Sequence, residues 1–567
     1  MASGGQKRTR SERVAALEMP LQPWEQLVVN SRRRSRIARM AVALMAALAL
    51  CVLTRAWDPP FSYRLGWVPP INIVARTAFL REERLPTRDP RDAVDSPILV
   101  QFEAGQPIAK AEEPLTRREL RTLRVEYDEV VGSRSWHVRA VRGVAVTAMA
   151  WLLLLLCGGY LRYRRNLAIT LRQWALLMAT TVLTAWVACV ASAEGYHAAL
   201  IPVLLFGMIA AIAFCQEMSL LFCGVLSVMV AIGTGLGFSQ FLVLLGVSTA
   251  AVLQLNQIRT RVKLIYVGLI CGAAAALLDA ITAIIDNQPL GATMLSNAGL
   301  SGLCAISAGF LMTGLLPFIE RFFGVLTDLS LLELGDMAHP LLQELIRRAP
   351  ATYNHSITVG SIAEAAAESI GARGLLVRVG AYFHDIGKML KPEYYIENQP
   401  TEASMHESLL PAMSTLVIFA HVKDGSDLGR QRHLPRPIID LIEQHHGTML
   451  VEFFYGRANQ QQQQSDPDGA AVDEHTFRYP GPKPQTKEAG VLMLADAVEG
   501  ASRTLVDPTP ARIENLVEEM AEHRLQDGQF DESGLTLREL HSIQRSLVKS
   551  LTALYHGRIK YPDQRMA

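Results

Sequence analysis

Histidine and aspartate side chains recur between residues 355 and 496, far apart in sequence but each in or beside an apolar helical pattern. Imidazole nitrogens and carboxylate oxygens bind divalent metals, and two ions held close together are suited to phosphoester hydrolysis. An apolar helix that ends in histidine is repeated several times, so we interpret the set as one binuclear site. Its candidate ligands are His355, His384, Asp385, His421, His445, His446 and Asp496.

The pair His384-Asp385 is the most informative part of this set. Adjacent helical residues point about 100° apart, so the pair binds one ion only from a bend, or Asp385 bridges two ions. Gly387 permits a close approach, and Lys388 adds a positive charge, which is typical of a phosphoester site. Asp496 is the acid within an apolar run, where a carboxylate is costly unless it meets a cation.

A basic loop before Asp496 carries Arg478, Lys483 and Lys487. These side chains could line a phosphate- or base-binding rim, and a solvated basic loop is the alternative. The chain has seven cysteines, all within or at the edge of apolar runs that end before residue 320. The candidate site therefore has no thiolate ligand and no catalytic cysteine.

Composition indicates what the site is attached to. The chain has 567 residues, of which 50% are hydrophobic and only 19% are charged, so we expect several domains and a membrane portion. The formal net charge is +1, which gives no overall basic field and argues against a nucleic-acid polymer as partner. The lipid bilayer is an expected partner.

Apolar runs predict a membrane protein with eight spanning helices. Residues 1–36 are basic and expected to be a disordered cytoplasmic tail, and 37–54 form the first membrane helix. Residues 143–319 form a seven-helix bundle, since each run approaches the roughly 20 residues that span a bilayer. The predicted spans are 143–161, 172–193, 198–215, 218–236, 238–255, 264–285 and 293–319.

The basic residues predict the orientation of these helices. The N-terminus and the loops near Arg164 and Arg261 are placed in the cytoplasm by the positive-inside tendency. The even number of helices then returns the C-terminal half to the cytoplasm and leaves residues 55–138 outside. Asp279 lies inside a predicted span, where a carboxylate is either functional or close to the membrane interface.

The outer segment is predicted to be a short α+β module. Residues 96–102 read as a strand, 105–110 as a turn into another, and 116–130 as a helix with a capping box of Thr116 and Glu119. A sensor module and a spacer that packs on the membrane helices both fit this pattern.

A helical connector is expected at 320–350, interrupted at Pro340, before an all-α domain at 351–567. Its last part, from about residue 510, is expected to pack against the domain core or to form a dimer contact. The glutamine-rich stretch 458–473 is expected to be a disordered loop.

The order His, His-Asp, His, His-His, Asp resembles the HD-domain metal-dependent phosphohydrolases. The longer strings HPLLQELIRRAPATYNHS, VRVGAYFHDIGKMLKPEYYIENQ, HVKDG, QHHGT and FRYPGPKPQTKEAGVLMLADAVE are similar to membrane cyclic-di-AMP phosphodiesterases of the PgpH type. In that family one helix, an outer domain and seven helices precede a cytoplasmic HD domain. The outer segment of this chain is much shorter than the family's, which leaves its sensing role in doubt.

The resemblance implies a particular division of the ligands. His355, His384 and Asp496 would hold one ion, His421, His445 and His446 would serve the second, and Asp385 would bridge them. The ions would be iron or manganese, cyclic-di-AMP the substrate, and the linear dinucleotide pApA the product. Asp385 and Lys388 are the candidate catalytic residues, Lys388 by electrostatic support of the phosphate. The implied location is the cytoplasmic (inner) membrane of a bacterium, and a homodimer is left open.

Two other functions remain open at this point. One is a related phosphohydrolase that acts on cyclic-di-GMP, although His445-His446-Gly447 is followed here by Thr448 and not by the Gly-Tyr-Pro signature of the relatives that cleave it. The other is a non-enzymatic membrane receptor that binds a nucleotide, which a missing ligand would have favoured. None of the predicted ligands is missing.

Overall fold

The computed structural model describes residues 23–83, 98–163, 170–192, 196–255, 259–399, 405–465 and 471–556. The chain divides into two compact units, Met1–Val325 and Leu326–Ala567. Most described residues are helical, as predicted for a membrane protein joined to an all-α domain.

The first helix, α1, runs from Pro23 to Leu53 and begins earlier than predicted. Residues 23–36, expected to be part of a disordered tail, are helical, while 1–22 lie outside the described residues. The stretch 24–36 contains no proline or glycine, and its many arginines have good helix propensity. Basic composition alone was therefore a poor indicator of disorder.

The described residues of the predicted outer segment form two small antiparallel sheets and one helix, before the helix that begins at Trp136. Strand β1 (Ile73–Val74) pairs with β4 (Pro107–Ala109), and β2 (Phe79–Glu83) pairs with β3 (Ile98–Phe102). Helix α2 (Arg117–Gly132) begins with the predicted capping box, in which the side chains and backbone N–H groups of Thr116 and Glu119 bond reciprocally. The α+β prediction for this segment is confirmed.

Seven further helices follow, at the places where the sequence predicts spans. The helix bounds lie within a few residues of the predicted ones, except that the first begins at Trp136. The helices are α3 (Trp136–Tyr163), α4 (Leu171–Ala191), α5 (Leu200–Ala213, preceded by the 3-10 turn Tyr196–Ala199), α6 (Gln216–Thr234), α7 (Phe238–Gln254), α8 (Arg261–Ile285) and α9 (Ala292–Phe323).

By length and composition, seven helices among the described residues could cross a membrane, namely α1, α3, α4, the stretch Tyr196–Ala213, α6, α8 and α9. Helix α7 is a shorter apolar helix of 17 residues, about 26 Å long at 1.5 Å per residue. Eight apolar helices thus correspond to the eight predicted spans, and the chain is a multi-pass membrane protein.

Helices α8 and α9 approach each other through glycines. A methyl group added at Gly309 would lie 2.6 Å from the Cα of Gly268, and one added at Gly302 would lie 3.0 Å from the carbonyl oxygen of Gly272. Small residues let the backbones of membrane helices come this close, where dispersion forces replace the hydrophobic effect.

Asp279 of α8 is buried among polar side chains from other elements of this unit. Its exposed fraction is 3%, its two carboxylate oxygens lie 3.4 Å from the hydroxyl of Tyr196, and Gln240 Nε2 lies 3.3 Å from Oδ1. Beside it, His197 Nδ1 lies 2.8 Å from Ser301 Oγ. The carboxylate therefore faces hydrogen-bond donors and not lipid.

The second unit begins with two short helices, α10 (Asp328–Leu334) and α11 (Pro340–Arg348), with Pro340 at the first position of α11. Proline lacks an N–H but fits the first helical turn, so the expected interruption is a helix start. The remaining helices are α12 (Pro350–Ser369), α13 (Gly374–Phe383), α14 (Pro411–Gln431), α15 (Arg436–Gln444), α16 (Glu452–Ser465), α17 (Lys487–Ser502), α18 (Pro510–Gln526) and α19 (Leu537–His556).

The last two helices complete the hydrophobic core of this unit. Val517 of α18 and Ile543, Leu547 and Leu551 of α19 are fully buried in the same cluster as residues of α12 and α17. The glutamine-rich stretch behaves differently from the expected loop. Helix α16 continues through it to Ser465, because glutamine is a good helix former, and residues 466–470 lie outside the described residues.

Candidate metal centre

Five helical elements of the second unit bring the seven predicted ligands together. The side chains come from the second turn of α12, the turn after α13, the middle of α14, the end of α15 and the third turn of α17. In that order they are His355, His384 with Asp385, His421, His445 with His446, and Asp496.

The position of His421 differs from the sequence-based prediction. His384 and His445 do follow the last residues of α13 and α15, but α14 continues ten residues beyond His421, to Gln431. Gly425, one turn after His421, is a packing position within this helix. Gly425 contacts Gly387 and Ile442, so its missing side chain allows two elements to meet.

The first group of donors surrounds His355 and His384. One donor atom each of His355, His384 and Asp385 lies within 4.8 Å of the others. His355 Nε2 is 2.9 Å from Asp496 Oδ1, and His384 Nε2 is 3.6 Å from the same oxygen. Asp496 therefore extends this group to four residues.

The second group consists of His421, His445 and His446. His421 Nδ1 donates to the carbonyl of Ile418 at 2.5 Å, and His445 Nδ1 donates to that of Ile442 at 2.8 Å. With both Nδ1 atoms protonated, both Nε2 atoms carry lone pairs, yet these atoms face each other at 3.3 Å. Two facing lone pairs repel unless a cation lies between them.

Asp385 lies between the two groups. Its Oδ2 is 3.2 Å from His384 Nε2 and 3.7 Å from His355 Nε2. Its Oδ1 is 3.4 Å from His421 Nε2 and 3.7 Å from His445 Nε2. Each oxygen of the carboxylate thus faces a different group of imidazoles.

Several buried polar atoms support metal binding here. Within the part of the chain that the structure describes, His384 Nε2, Asp385 Oδ1 and His446 Nδ1 have no hydrogen-bond partner. Buried polar atoms are almost always satisfied, so unsatisfied ones that converge on one place call for an explanation. Neutral imidazoles and carboxylates that point inward fit a divalent transition metal.

Burial sets the charge of the second group. It lowers the pKa of His421 to about 4 and that of His445 to about 3, and it holds the pKa of His446 well below its usual range. These imidazoles are therefore neutral at pH 7, which is the form that binds metal ions.

In the first group the pKa of the histidine His384 is raised and not lowered. Burial disfavours a charge on His384, but Asp385 and Asp496 outweigh it and raise the pKa of His384 to about 10. Burial likewise opposes ionisation of Asp385, but His384 and Lys388 hold the pKa of its carboxyl well below the ordinary value. The cations of His384 and Lys388 thus offset the charge of the two carboxylates within the protein itself.

Lys388 lies next to the candidate bridging carboxylate. Its ammonium is 2.7 Å from Asp385 Oδ2 and 3.0 Å from Glu397 Oε1, and its side chain is 15% exposed. Glu397 is an additional acid near the site that sequence reasoning missed, because it lies in a polar stretch without an apolar period.

Gly387 provides the close approach that the sequence suggested. A methyl group there would lie 2.0 Å from the carbonyl oxygen of His421 and 2.6 Å from the backbone nitrogen of Gly425. The 3-10 turn after Asp385 therefore packs directly on the backbone of α14. Any side chain at this position would separate Asp385 from His421.

The three basic residues of the predicted rim have partners within the C-terminal unit. Arg478 pairs with Glu474 and Asp527, Lys483 donates to the carbonyl of Gly528 at 2.9 Å, and Lys487 pairs with Glu539. Charge pairing with the C-terminal part of the chain holds these side chains. They fasten α18, α19 and the intervening turn to the loop before α17.

Glu499 is the second acid that sequence reasoning missed. Its Oε2 lies 2.6 Å from His355 Nδ1, one helical turn after Asp496 in α17. The spacing Asp496 to Glu499 was a usable signal, since residues three apart in a helix share a face.

The chain matches two family models. Residues 141–327 match "7TM receptor with intracellular HD hydrolase", and residues 352–501, which contain all seven candidate ligands, match the HD domain. The chain is similar to two proteins named cyclic-di-AMP phosphodiesterase PgpH. It is 40% identical over 315 residues to that of Bacillus subtilis (55% of this chain, 43% of the relative) and 38% identical over 330 residues to that of Listeria monocytogenes (58% and 45%).

The chain thus spans less than half the length of these curated relatives. Among solved structures it is similar to the HD domain of L. monocytogenes PgpH, with 43% identity over 38% of this chain and 100% of the other and a TM-score of 0.36. The same domain in complex with cyclic-di-AMP gives 44% identity, 39% and 100% coverage and a TM-score of 0.36. The resemblance inferred from the motifs is confirmed: the chain carries an HD domain and, before it, a segment that matches the model of seven-helix receptors with an HD hydrolase.

Proposed function

We propose that this protein is a metal-dependent phosphodiesterase that hydrolyses cyclic-di-AMP to pApA at the centre in its C-terminal unit. The observation that carries the proposal is the position of Asp385, whose two oxygens face two separate groups of imidazoles. A carboxylate shared in this way suits a pair of metal ions, and paired ions are suited to phosphoester hydrolysis. The substrate is inferred from the names of the PgpH relatives.

The ligands divide between two divalent ions, iron or manganese. His355, His384 and Asp496 would hold one ion, His421, His445 and His446 would hold the other, and Asp385 would be shared between them. When bound, such ions supply Lewis-acid activation of a phosphoryl group and of water. In the reaction, water adds to one phosphorus, the bond from that phosphorus to the 3′ oxygen breaks, and the leaving oxygen takes up a proton.

The remaining residues prepare the site for an anionic substrate. The buried imidazoles of His421 and His445 stay neutral, so they add no positive charge of their own and remain free to bind metal. Lys388 supplies a fixed positive charge beside Asp385, where it stabilises a phosphate whose charge increases during the reaction.

We place the C-terminal unit and the N-terminus in the cytoplasm and the helices in the inner membrane of a bacterium. Eight apolar helices and the basic N-terminal region support this topology. Arg139 and Arg142 weigh against it by charge, but Arg139 pairs with Asp58 at 3.0 Å and Arg142 donates to the carbonyl of Ala56. These two contacts explain why both arginines lie on the outer side in this topology. The membrane and outer parts would regulate the centre.

The test uses the full chain, purified in detergent and loaded with Mn²⁺ or Fe²⁺. We expect metal-dependent conversion of cyclic-di-AMP to pApA, which Asp385→Ala abolishes and the exposed-site control Asp427→Ala retains. Parallel incubation with cyclic-di-GMP tests the related hydrolase, and cyclic-di-AMP binding without cleavage would indicate a receptor. Full activity of Asp385→Ala would refute the proposed centre.

A further inference from the structure

His355 is held by carboxylates at both of its ring nitrogens. Nε2 lies 2.9 Å from Asp496 Oδ1, and Nδ1 lies 2.6 Å from Glu499 Oε2. The side chain of Glu499 is only 4% exposed. Because residues three apart share one face of a helix, α17 supplies both carboxylates to the same imidazole.

Arg503 fixes the orientation of Glu499. Its Nε and Nη2 donate to Glu499 Oε1 at 2.8 and 2.6 Å, one turn further along α17. The two oxygens of Glu499 therefore have separate tasks, with Oε1 anchored by a guanidinium and Oε2 left to accept from His355. Two charged donors on one oxygen restrict the rotation of the carboxylate.

This arrangement differs from that of the other ligand histidines. His384, His421 and His445 each direct Nδ1 to the carbonyl three residues earlier, at Ala381, Ile418 and Ile442. His355 instead directs Nδ1 to a carboxylate. A carboxylate makes the imidazole a more basic and better oriented metal ligand than a neutral carbonyl does.

We propose that Glu499 is a positioning residue that keeps the proton of His355 on Nδ1 and presents Nε2 to the ion held with Asp496. The inference deepens the proposed function, on whose metal assignment it rests. Glu499 then acts on one of the two ions, that of the His355 group, and leaves the ion of the His421 group largely unaffected. The two halves of the centre would differ in affinity for this reason.

The test measures metal content, not only activity. The full-length protein and its variants are loaded with Mn²⁺, titrated with a chelator, and analysed for metal per chain. We expect Glu499→Ala to weaken one of two binding steps by about 10- to 100-fold, the usual effect of losing such a partner. Glu499→Gln, which can still accept from Nδ1–H, should weaken the same step less. Glu518→Ala, at an exposed site in α18, should change neither.

Further variants separate positioning from folding. If Glu499→Ala does not fold, Glu499→Gln and Arg503→Ala carry the test, since both leave a side chain in the buried position. A loss in one binding step with unchanged thermal unfolding of the metal-free protein supports positioning. Wild-type affinity at both steps in all variants that fold, or equal losses at both steps, overturns the proposal.

The outcomes also distinguish this proposal from the proposed function. If the wild-type protein binds two ions but cleaves no cyclic dinucleotide, the phosphodiesterase proposal fails while the role of Glu499 can still be judged from metal content. If the protein cleaves cyclic-di-AMP and Glu499→Ala keeps both ions, only the positioning role fails. Absence of metal binding by the wild-type protein removes both.

Discussion

At the scale of single residues, the centre is a balance of charge between two carboxylates and the cations that face them. Asp385 is buried, the side chain of Asp496 is only 13% exposed, and His384 and Lys388 lie against Asp385 at 3.2 and 2.7 Å. A charge buried without a partner is far more costly than one that is paired. A metal ion bound by the first group would therefore take the place of a positive charge that the protein already supplies there. The total positive charge beside the carboxylates would change little.

Metal binding should consequently release protons. Burial alone would lower the pKa of His384, but the nearby carboxylates of Asp385 and Asp496 have the larger effect and raise it to about 10. A histidine must be neutral to bind metal, so loading at pH 7 displaces about one proton from this residue. The affinity should therefore increase as pH rises from 7 toward 10, because fewer protons have to leave.

Calorimetry of Mn²⁺ binding in two buffers with different ionisation enthalpies measures this release. We expect the observed heat to differ between the buffers by the amount that one or more released protons would produce. Equal heats in both buffers, or an affinity that falls between pH 7 and pH 9, would contradict the charge balance described here.

The seven candidate ligands could be found from sequence because each is a polar residue placed in or beside an apolar helix. That contrast depends on the local sequence alone. Glu499 and Glu397 pair with His355 and Lys388, which lie 144 and 9 positions away, and neither acid stands out as the polar residue of an apolar helix. For Glu499 the usable signal was its spacing from Asp496 in the same helix. The pairing of Arg478 with Asp527 could not be seen from the sequence, since the two residues are 49 positions apart.

At the scale of helices and strands, hydrophobic periodicity predicted the position of almost every membrane helix, whereas helix ends and close contacts required the structure. The start of α1 and the course of α16 were misjudged because arginine and glutamine are polar and also helix-forming. Glycine was ambiguous as well. It can end a helix, as Gly324 does after α9 with φ of +66°, or allow two helices to touch, as Gly309 does.

The contact between α8 and α9 gives a paired prediction. Gly309→Ala adds a methyl group 2.6 Å from the Cα of Gly268, so the helices must separate, and overpacking of this kind costs about 1–3 kcal/mol. Gly314→Ala, on the same helix, meets no atom within 4 Å and is the matched control.

Thermal unfolding of the full chain in detergent compares the two variants. We expect a lower midpoint for Gly309→Ala and an unchanged or slightly higher one for Gly314→Ala, because alanine favours helix more than glycine does. Equal midpoints for both variants would mean that the close contact does not contribute to stability.

At the scale of the whole molecule, the C-terminal unit is larger than the part that matches the HD family model. The match ends at residue 501, but the core continues through α18 and α19 to Leu551. Helix α19 packs against α12, which carries His355. The centre is therefore supported by the last segment of the chain, in keeping with the expectation that this segment packs on the core.

Two leucines of α19 test that support. Leu547 is fully buried in the core, so Leu547→Ala should cost about 2–5 kcal/mol of unfolding free energy. Leu554 of the same helix is half exposed, and Leu554→Ala should change stability by no more than about 0.5 kcal/mol. Hydrogen exchange of α12 and α17 in the full chain is the measurement. Unchanged protection in Leu547→Ala would show that α19 is dispensable.

The buried Asp279 has a consequence for how the protein enters the membrane. A carboxylate in a single spanning helix is costly to insert, by up to about 2.5–3.5 kcal/mol when it lies at the helix centre. Tyr196 and Gln240, which face it in the folded protein, precede it in the chain and are synthesised first. The ribosome thus delivers both donors to the bilayer before α8 emerges, and the order of synthesis eases the insertion of this acidic helix.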